Sequence, residues 1–465
     1  MQATPSPNPR QEERFLLELA DLLPPDAIVT DPVVTASYRS DHARFVDAGD
    51  PLAVVLPRST DEVAHTLSAA TRHGIPVVAR GAGSGLSGGA NALDGWVVLS
   101  MTRMNRIVEI DKRNLLAVVE PGVLTGELQR AVAELGLWYP PDPSSFEIST
   151  IGGNIATNAG GLCCVKYGVT GDSVLGLEVV LADGSQLRTG GRTVKGVAGY
   201  DLTRLLVGSE GTLGVVTQAV VRLRPARAAP GTLLASFPTL QSSGDAVSKI
   251  IMELVPSLLE LMDRTTVMAV EEWRGMGLET GTSAVLLAQA EATAEGSTEM
   301  QQIERLCREA AASDVIVATD QLEADYLMEA RRAAFPALER LGDVVLDDVA
   351  VPRARITDLL VRIEEISVQH GVQIGTFGHA GDGNMHPTII FVATDPDSVR
   401  SARVAFEFII RTALELGGTV TGEHGVGMLK QPYLAGELGP EAMRVHRAIK
   451  HALDPTNTLN PGKAF

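Results

Sequence analysis

Six of the nine histidines in this chain lie at or beyond position 370, and three of those sit in glycine-rich surroundings. One stretch reads Gly378-His379-Ala380-Gly381-Asp382-Gly383-Asn384-Met385-His386, and another reads Gly422-Glu423-His424-Gly425. Gly-Asp-Gly between His379 and His386 favours a turn, so the two imidazoles can face one another across it. A carboxylate from Glu423 completes a two-histidine, one-carboxylate set with open positions. Such a set suits Zn²⁺, Mn²⁺ or Fe²⁺, and spacing does not choose among them. The bland alternative is a group of loop histidines hydrogen-bonded to backbone. That account suits a lone histidine better than three histidines and a glutamate all embedded in glycine. His370, His446 and His451 lie in helical, mixed surroundings and read as structural or exposed.

A second chemistry is written in glycine. Arg80-Gly81-Ala82-Gly83-Ser84-Gly85-Leu86-Ser87-Gly88-Gly89 follows a short apolar run and formally contains G-x-G-x-x-G. The dinucleotide fingerprint needs a helix to begin inside such a loop, with an acid roughly 20 positions on. Here Ala90, Asn91 and the turn Asp94-Gly95 follow, then another strand, so no helix has room to start and a Rossmann NAD site is disfavoured. The bare backbone N–H groups remain, and successive bare N–H groups form a concavity suited to a pyrophosphate. An ordinary mobile loop would explain one such run in a chain with 46 glycines. The pattern recurs, however, at residues 151–161 and again at residues 208–214. Three backbone-exposing loops fit a long cofactor gripped along its length.

These groups need a scaffold, and composition bounds it. With 465 residues, the chain is long enough for two large domains or three ordinary ones at roughly 150 residues each. A hydrophobic share of 45% supports real cores. Against 57 acidic residues stand 39 Lys and Arg, a net charge of −18, which argues against a nucleic-acid surface and against an anionic-lipid anchor. No stretch approaches the roughly 20 apolar residues of a membrane span, and the polar, Pro-rich start lacks a secretory pattern. The expectation is a cytoplasmic protein, at most peripheral to the inner face of the membrane. The three cysteines are Cys163, Cys164 and Cys307. They fit a reducing compartment and fall short of the four thiolates of an iron–sulfur cluster, so any one-electron relay sits on another subunit.

Elements follow from periodicity. A helix is expected over residues 12–23. An alternating α/β pattern then sets in, with a strand at 52–56 and a helix from Thr60, as N-cap, to a Gly74 C-cap. A strand at 76–79 leads into the first glycine loop. Strand 115–120, helix 125–135 and a hairpin at 177–187 around Asp183-Gly184 follow. Crowded Arg, Ala and Pro at 225–230 mark a domain boundary. Beyond it, helices at 297–311 and 399–415 mix with short strands, one of them at 344–352, as an α+β unit. Residues 454–465 are turn-rich.

The order RGAGSGLSGG, PPDPSS, TIGGNIATNAGG with KYG close behind, then GSEGTLGVVT, resembles the FAD domain of the vanillyl-alcohol-oxidase/p-cresol-methylhydroxylase superfamily. Within it, the chain from about residue 40 onward is similar to the branch holding the glycolate oxidase D-subunit, D-lactate dehydrogenase and D-2-hydroxyglutarate dehydrogenase. The resemblance implies an α+β, two-domain fold. A PCMH-type FAD-binding domain would take residues 1–227, with its core at about 48–227. A cap domain would take 228–430, and a tail, 431–465, would return to the FAD domain.

The resemblance also implies roles. Arg80, Gly81, Ala82, Gly83, Ser84, Gly85, Leu86 and Ser87 would wrap the pyrophosphate of a non-covalent FAD. Asp142, Ser145, Thr150, Gly153, Asn154, Asn158 and Gly161 would lie along the ribityl chain and ring. Glu210, Gly211 and Val215 would lie near the adenosine side, and Asn460 would return to the flavin. In the signature GHAGDGNMH and GEHG, His379, His386 and Glu423 would bind a divalent metal. His424 would be the base and Asn384 would line the substrate pocket.

The chemistry so implied is oxidation of a small 2-hydroxy acid to the 2-oxo acid, with hydride passing to flavin N5. Neutral His424, with an ordinary pKa of roughly 6.5, can take the hydroxyl proton. Arg331 matches a carboxylate-binding arginine, with a helix-surface arginine as the plain alternative. D-2-hydroxyglutarate enzymes of the branch tend to carry a further basic residue on the strand ending in Val-Pro, where this chain has Asp347 and Asp348. Glycolate or D-lactate is therefore favoured, with D-2-hydroxyglutarate as the alternative. The acceptor would be a quinone, an electron-transfer flavoprotein or an iron–sulfur subunit, and homodimer or hetero-complex stays open. The rivals are a non-catalytic flavin-binding subunit and a flavin-free metal-dependent hydrolase.

Overall fold

Alternation along a strand records how many of its faces are covered. Val215–Arg222 alternates buried and half-buried residues throughout, the pattern of a sheet with one face on a core. Ala284–Ala290 is buried at all seven positions, so helices or other layers must cover both its faces. These two strands belong to different compact units. The computed structural model describes residues 8–227, 229–291 and 298–465. One unit holds residues 8–159 with Val169–Ala226 and Glu423–Phe465, and the other holds Gly160–Gly168 with Arg227–Gly422. Both are discontinuous. The short segment Gly160–Gly168 groups with the second unit, and the return to the first begins at Glu423 where position 431 was expected.

In the first unit, Ala53–Val55 and Val77–Arg80 run parallel on either side of Val97–Ser100, with Ile28–Val29 antiparallel at the edge. A five-stranded antiparallel sheet runs in the order Ile107–Asp111, Leu116–Val119, Val215–Arg222, Val174–Val180 and Gln186–Gly190. Residues 81–96, which contain the first glycine loop, form neither helix nor strand. The first helix, Pro9–Leu22, starts earlier than expected because Asn8 caps it and Pro9 occupies its first turn. Helix Thr60–His73 is capped by Ser59, whose hydroxyl accepts the Glu62 N–H. Thr60, expected as the cap, donates instead to Glu178 at 2.8 Å.

One expectation is overturned outright. Residues 151–161, read as a bare loop, open with the helix Ile151–Thr157. Thr150 accepts the Gly153 N–H at 3.2 Å, Ile151 and Ile155 anchor one face in the core, and Asn158 ends the helix in the left-handed region. Gly152 is a packing residue. A Cβ on Gly152 would lie 2.5 Å from Pro121 Cβ.

The second unit is built on one antiparallel sheet, with Gly231–Phe237, Ala284–Ala290, Leu258–Asp263, Gln373–His379 and Asn384–Phe391 side by side at its centre. Helices Gln321–Arg332 and Ile356–His370 are among those packed on it. The strand expected at residues 344–352 is broken. Asp343–Leu346 and Val349–Ala350 both pair with Asn384–Phe391, and the buried Asp347-Asp348 bridges the gap between them. The helix expected at residues 297–311 is Thr298–Glu309, with Ser297 outside the described residues. Among the described residues no helix is long and apolar enough to cross a membrane.

Candidate functional site

The first glycine loop leaves the end of strand Val77–Arg80. None of the six consecutive amides of residues 81–86 donates a hydrogen bond to the described residues. Six unsatisfied N–H groups on a half-buried loop are a built anion cradle, and the pyrophosphate of FAD fits their chemistry. The cradle has no room for side chains at its base. A Cβ on Gly81 would lie 2.3 Å from Thr150 Oγ1, and one on Gly83 would meet the Arg80 guanidinium. Arg80 itself is buried and donates to the Ser40 carbonyl at 2.9 Å. Gly81→Ala is therefore expected to push Thr150 off its cap and to lower flavin retention, read as the flavin-to-chain absorbance ratio after desalting. Adding Thr150→Ala should restore it; unchanged retention in the single variant contradicts this.

Several other polar side chains among the expected cofactor residues are also committed to protein. Asn154 donates to Thr125 Oγ1 at 2.8 Å, and Asn158 Oδ1 accepts the Gly171 N–H at 2.8 Å. The Glu210 carboxylate accepts the N–H groups of Val426 and Gly427 at 2.7 and 2.8 Å. Burial pushes its carboxyl up, against those two hydrogen bonds. Asn460 donates to the carbonyls of Glu210 and Gly89. Asp142 and Ser145 lie half-buried in irregular backbone ahead of helix Ile151–Thr157, Gly211 faces Asn460, and Val215 opens the strand Val215–Arg222. Gly161 belongs to the segment grouped with the second unit.

The same network holds His424. Ser87 Oγ donates to the His424 carbonyl at 3.2 Å, and the Ser87 carbonyl accepts the N–H groups of Met428 and Leu429. A Cβ on Gly427 would lie 2.1 Å from the Ser87 carbonyl oxygen, which explains the glycine. The backbone of the proposed base is thus pinned to the glycine loop. Lys463 closes the arrangement. It is 2% exposed, and its ammonium donates to the carbonyls of Gly89 and Asn91 and to Asn460 Oδ1. Burial pushes it down to about 7, with Asp41 and Glu210 opposing.

In the second unit, strands Gln373–His379 and Asn384–Phe391 form a hairpin around Gly381-Asp382-Gly383. It brings His379 and His386 together, with ring centroids 5.2 Å apart and planes at 87°. A ring nitrogen of each lies within 4.8 Å of the other's, and both side chains are buried. Two buried imidazoles with converging nitrogens are a donor set that a divalent cation fits. His379 Nδ1 hydrogen-bonds Glu260 Oε1 at 2.7 Å, and His386 Nδ1 stands 3.7 Å from Asp348 Oδ1.

Arg331 is not a surface residue. It is 4% exposed at the end of helix Gln321–Arg332, and its Nε donates to Glu260 Oε2 at 2.7 Å. Its two terminal nitrogens make no hydrogen bond to the described residues. Asn384 is held at its amide nitrogen by Asp348 Oδ1 at 2.7 Å and by the Val349 carbonyl at 3.1 Å. Asp348 Oδ2 accepts from Thr421 Oγ1 and the Gly422 N–H. From Gly422 the chain runs directly into Glu423 and His424, which count with the first unit.

Sequence reasoning missed Glu260 and undervalued Asp348. The signal for Glu260 is a carboxylate set between leucines in the middle of the strand LLELMD. A charge at such a position must find a buried partner.

Residues 51–190 match a family model described as FAD binding domain, and residues 228–464 match one described as FAD linked oxidases, C-terminal domain. Glycolate oxidase subunit GlcD of Bacillus subtilis is 48% identical over 418 residues, covering 89% of each chain. A D-lactate dehydrogenase of Archaeoglobus fulgidus is 37% identical over 420 residues, covering 90% of this chain and 92% of that one. The solved structure of p-cresol methylhydroxylase superposes with a TM-score of 0.81 at 19% identity, covering 98% of this chain and 97% of the other. That last likeness is one of fold.

Proposed function

Because the chain belongs to the FAD-linked oxidases, we propose that this FAD-linked oxidoreductase oxidises a small 2-hydroxy acid, glycolate or D-lactate, to the 2-oxo acid. The observation that carries the reading is Arg331. A buried guanidinium, fixed through Nε and with both terminal nitrogens uncommitted to the described residues, is prepared for a bidentate carboxylate. It stands on the same carboxylate as His379. The names of the relatives, a glycolate oxidase subunit and a D-lactate dehydrogenase, point to the same substrate class.

When bound, the flavin supplies an acceptor for the Cα hydrogen with its electron pair, and a divalent cation on His379, His386 and Glu423 supplies a Lewis acid. Arg331 binds the substrate carboxylate and fixes the direction of the Cα–H bond. His424 takes the hydroxyl proton on its imidazole as the carbonyl forms. Asn384, held by Asp348, sets the strand on which His386 lies. Asp347 and Asp348 offer no cation for a second carboxylate, which disfavours D-2-hydroxyglutarate. Three cysteines cannot hold a four-thiolate cluster, so turnover would call on an external acceptor: a quinone, an electron-transfer flavoprotein or an iron–sulfur partner.

The test is stopped-flow flavin bleaching with glycolate, D-lactate, L-lactate and D-2-hydroxyglutarate. Glycolate or D-lactate should bleach fastest. A yellow protein that no 2-hydroxy acid bleaches rejects the reading in favour of a non-catalytic flavin subunit, and a colourless one that added FAD does not restore favours the hydrolase.

A further inference from the structure

We propose that Glu260 is a positioning residue that sets the substrate arginine and a metal-binding histidine with a single buried carboxylate. This rests on the roles given above to Arg331 and His379. Glu260 is 1% exposed in the middle of strand Leu258–Asp263, between buried Leu259 and Leu261. A bare carboxylate there would carry a heavy desolvation penalty, so its two partners define its state. Oε1 meets His379 Nδ1 and Oε2 meets Arg331 Nε, each at 2.7 Å.

Two consequences follow from the donor and acceptor inventory. An ionised carboxylate only accepts, so His379 must carry its proton on Nδ1. The lone pair is then left on Nε2, the nitrogen that can ligate a cation. On the other side, the Nε hydrogen bond and the Phe377 ring, 4.7 Å from the Arg331 Cζ, fix the guanidinium plane. The terminal nitrogens are thereby left as a preset fork. One side chain thus presets both the cation ligand and the carboxylate receptor, from residues 119 and 71 positions away in sequence.

A glutamine cannot do both. Its carboxamide has one accepting oxygen and one donating nitrogen, so one of the two contacts becomes donor against donor. The conflict is relieved only by losing the hold on Arg331 or by moving the His379 proton to Nε2, which removes the ligating lone pair.

The experiment compares FAD-loaded wild type, Glu260→Gln and His386→Ala. Each is titrated with Mn²⁺, followed by the paramagnetic resonance of the free ion, and each is assayed for KM and kcat. Flavin content and melting temperature are controls. Glu260→Gln is expected to weaken Mn²⁺ binding by about 10- to 100-fold, or to raise KM by a similar factor with a smaller change in kcat, at unchanged flavin content. Wild-type values for both Mn²⁺ affinity and KM in that variant overturn the proposal. If wild type binds no Mn²⁺, or His386→Ala binds it as well as wild type, the metal reading itself fails instead. Should Glu260→Gln not fold, Glu260→Asp carries the test. Its shorter carboxylate draws back from both partners, so Mn²⁺ affinity and KM should both worsen, and wild-type values in both overturn the proposal.

Discussion

Replacing His424 with alanine is expected to leave a yellow protein that a 2-hydroxy acid no longer bleaches. The imidazole and the backbone that carries it have separate parts. His424 is held at its carbonyl by Ser87 Oγ, and the next residues are held by Glu210 and the Ser87 carbonyl. None of these bonds uses the histidine ring, so the glycine loop and the segment that carries position 424 should keep their places. Flavin retention and Mn²⁺ binding should stay close to wild type. What is lost is the proton acceptor, and general-base removal costs typically about 10²- to 10⁴-fold in rate. The measurement is the first-order bleaching rate at saturating substrate. A rate within tenfold of wild type would show that another group takes the proton.

Arg331 is expected to split into two different failures according to its replacement. Arg331→Met leaves the Glu260 carboxylate with His379 alone in an apolar strand environment. Breaking a buried pair by removing one partner costs about 3–5 kcal/mol, so the melting temperature should fall markedly. Arg331→Lys keeps a positive charge for Glu260 and should melt close to wild type. A single ammonium cannot both satisfy Glu260 and present a fork to substrate, so the charge-assisted bonds to the substrate carboxylate are lost. Those are worth about 1.5–3 kcal/mol, roughly 10- to 100-fold in KM. Turnover at saturation should change less, because the base and the flavin are untouched. An Arg331→Lys enzyme with wild-type KM would move the carboxylate receptor elsewhere.

Much of the scaffold was legible because its signals are local. Gly74 ends a helix, and Asp183-Gly184 turns between the two strands of a hairpin. Gly-Asp-Gly brings the His379 and His386 rings together edge to face, since a tight turn between paired strands leaves their register little freedom. The misread elements show the limit of the same logic. Residues 151–157 looked like loop by glycine content alone. Thr150 at the cap, Ile151 and Ile155 four apart, and Asn158 at the end outweighed the weak propensity of two glycines. Residues 344–352 looked like one strand, but Asp347 and Asp348 interrupt it, because their buried carboxylates draw hydrogen bonds that a regular ladder does not supply.

The amino-acid order by itself determined that the chain exposes a row of backbone amides after residue 80 and pairs two histidines across a turn. Both depend on backbone freedom and spacing within about ten residues, where chemistry and distance along the chain coincide. Only the tertiary structure decided that Arg331 is buried with its Nε committed and its terminal nitrogens unused by the described residues, and that Glu260 holds it together with His379. Those partners lie 71 and 119 positions away, and they meet because sheet register and helix packing put them on one carboxylate. No local pattern specifies such a meeting, since burial cost and pairing are settled only when the whole sheet closes.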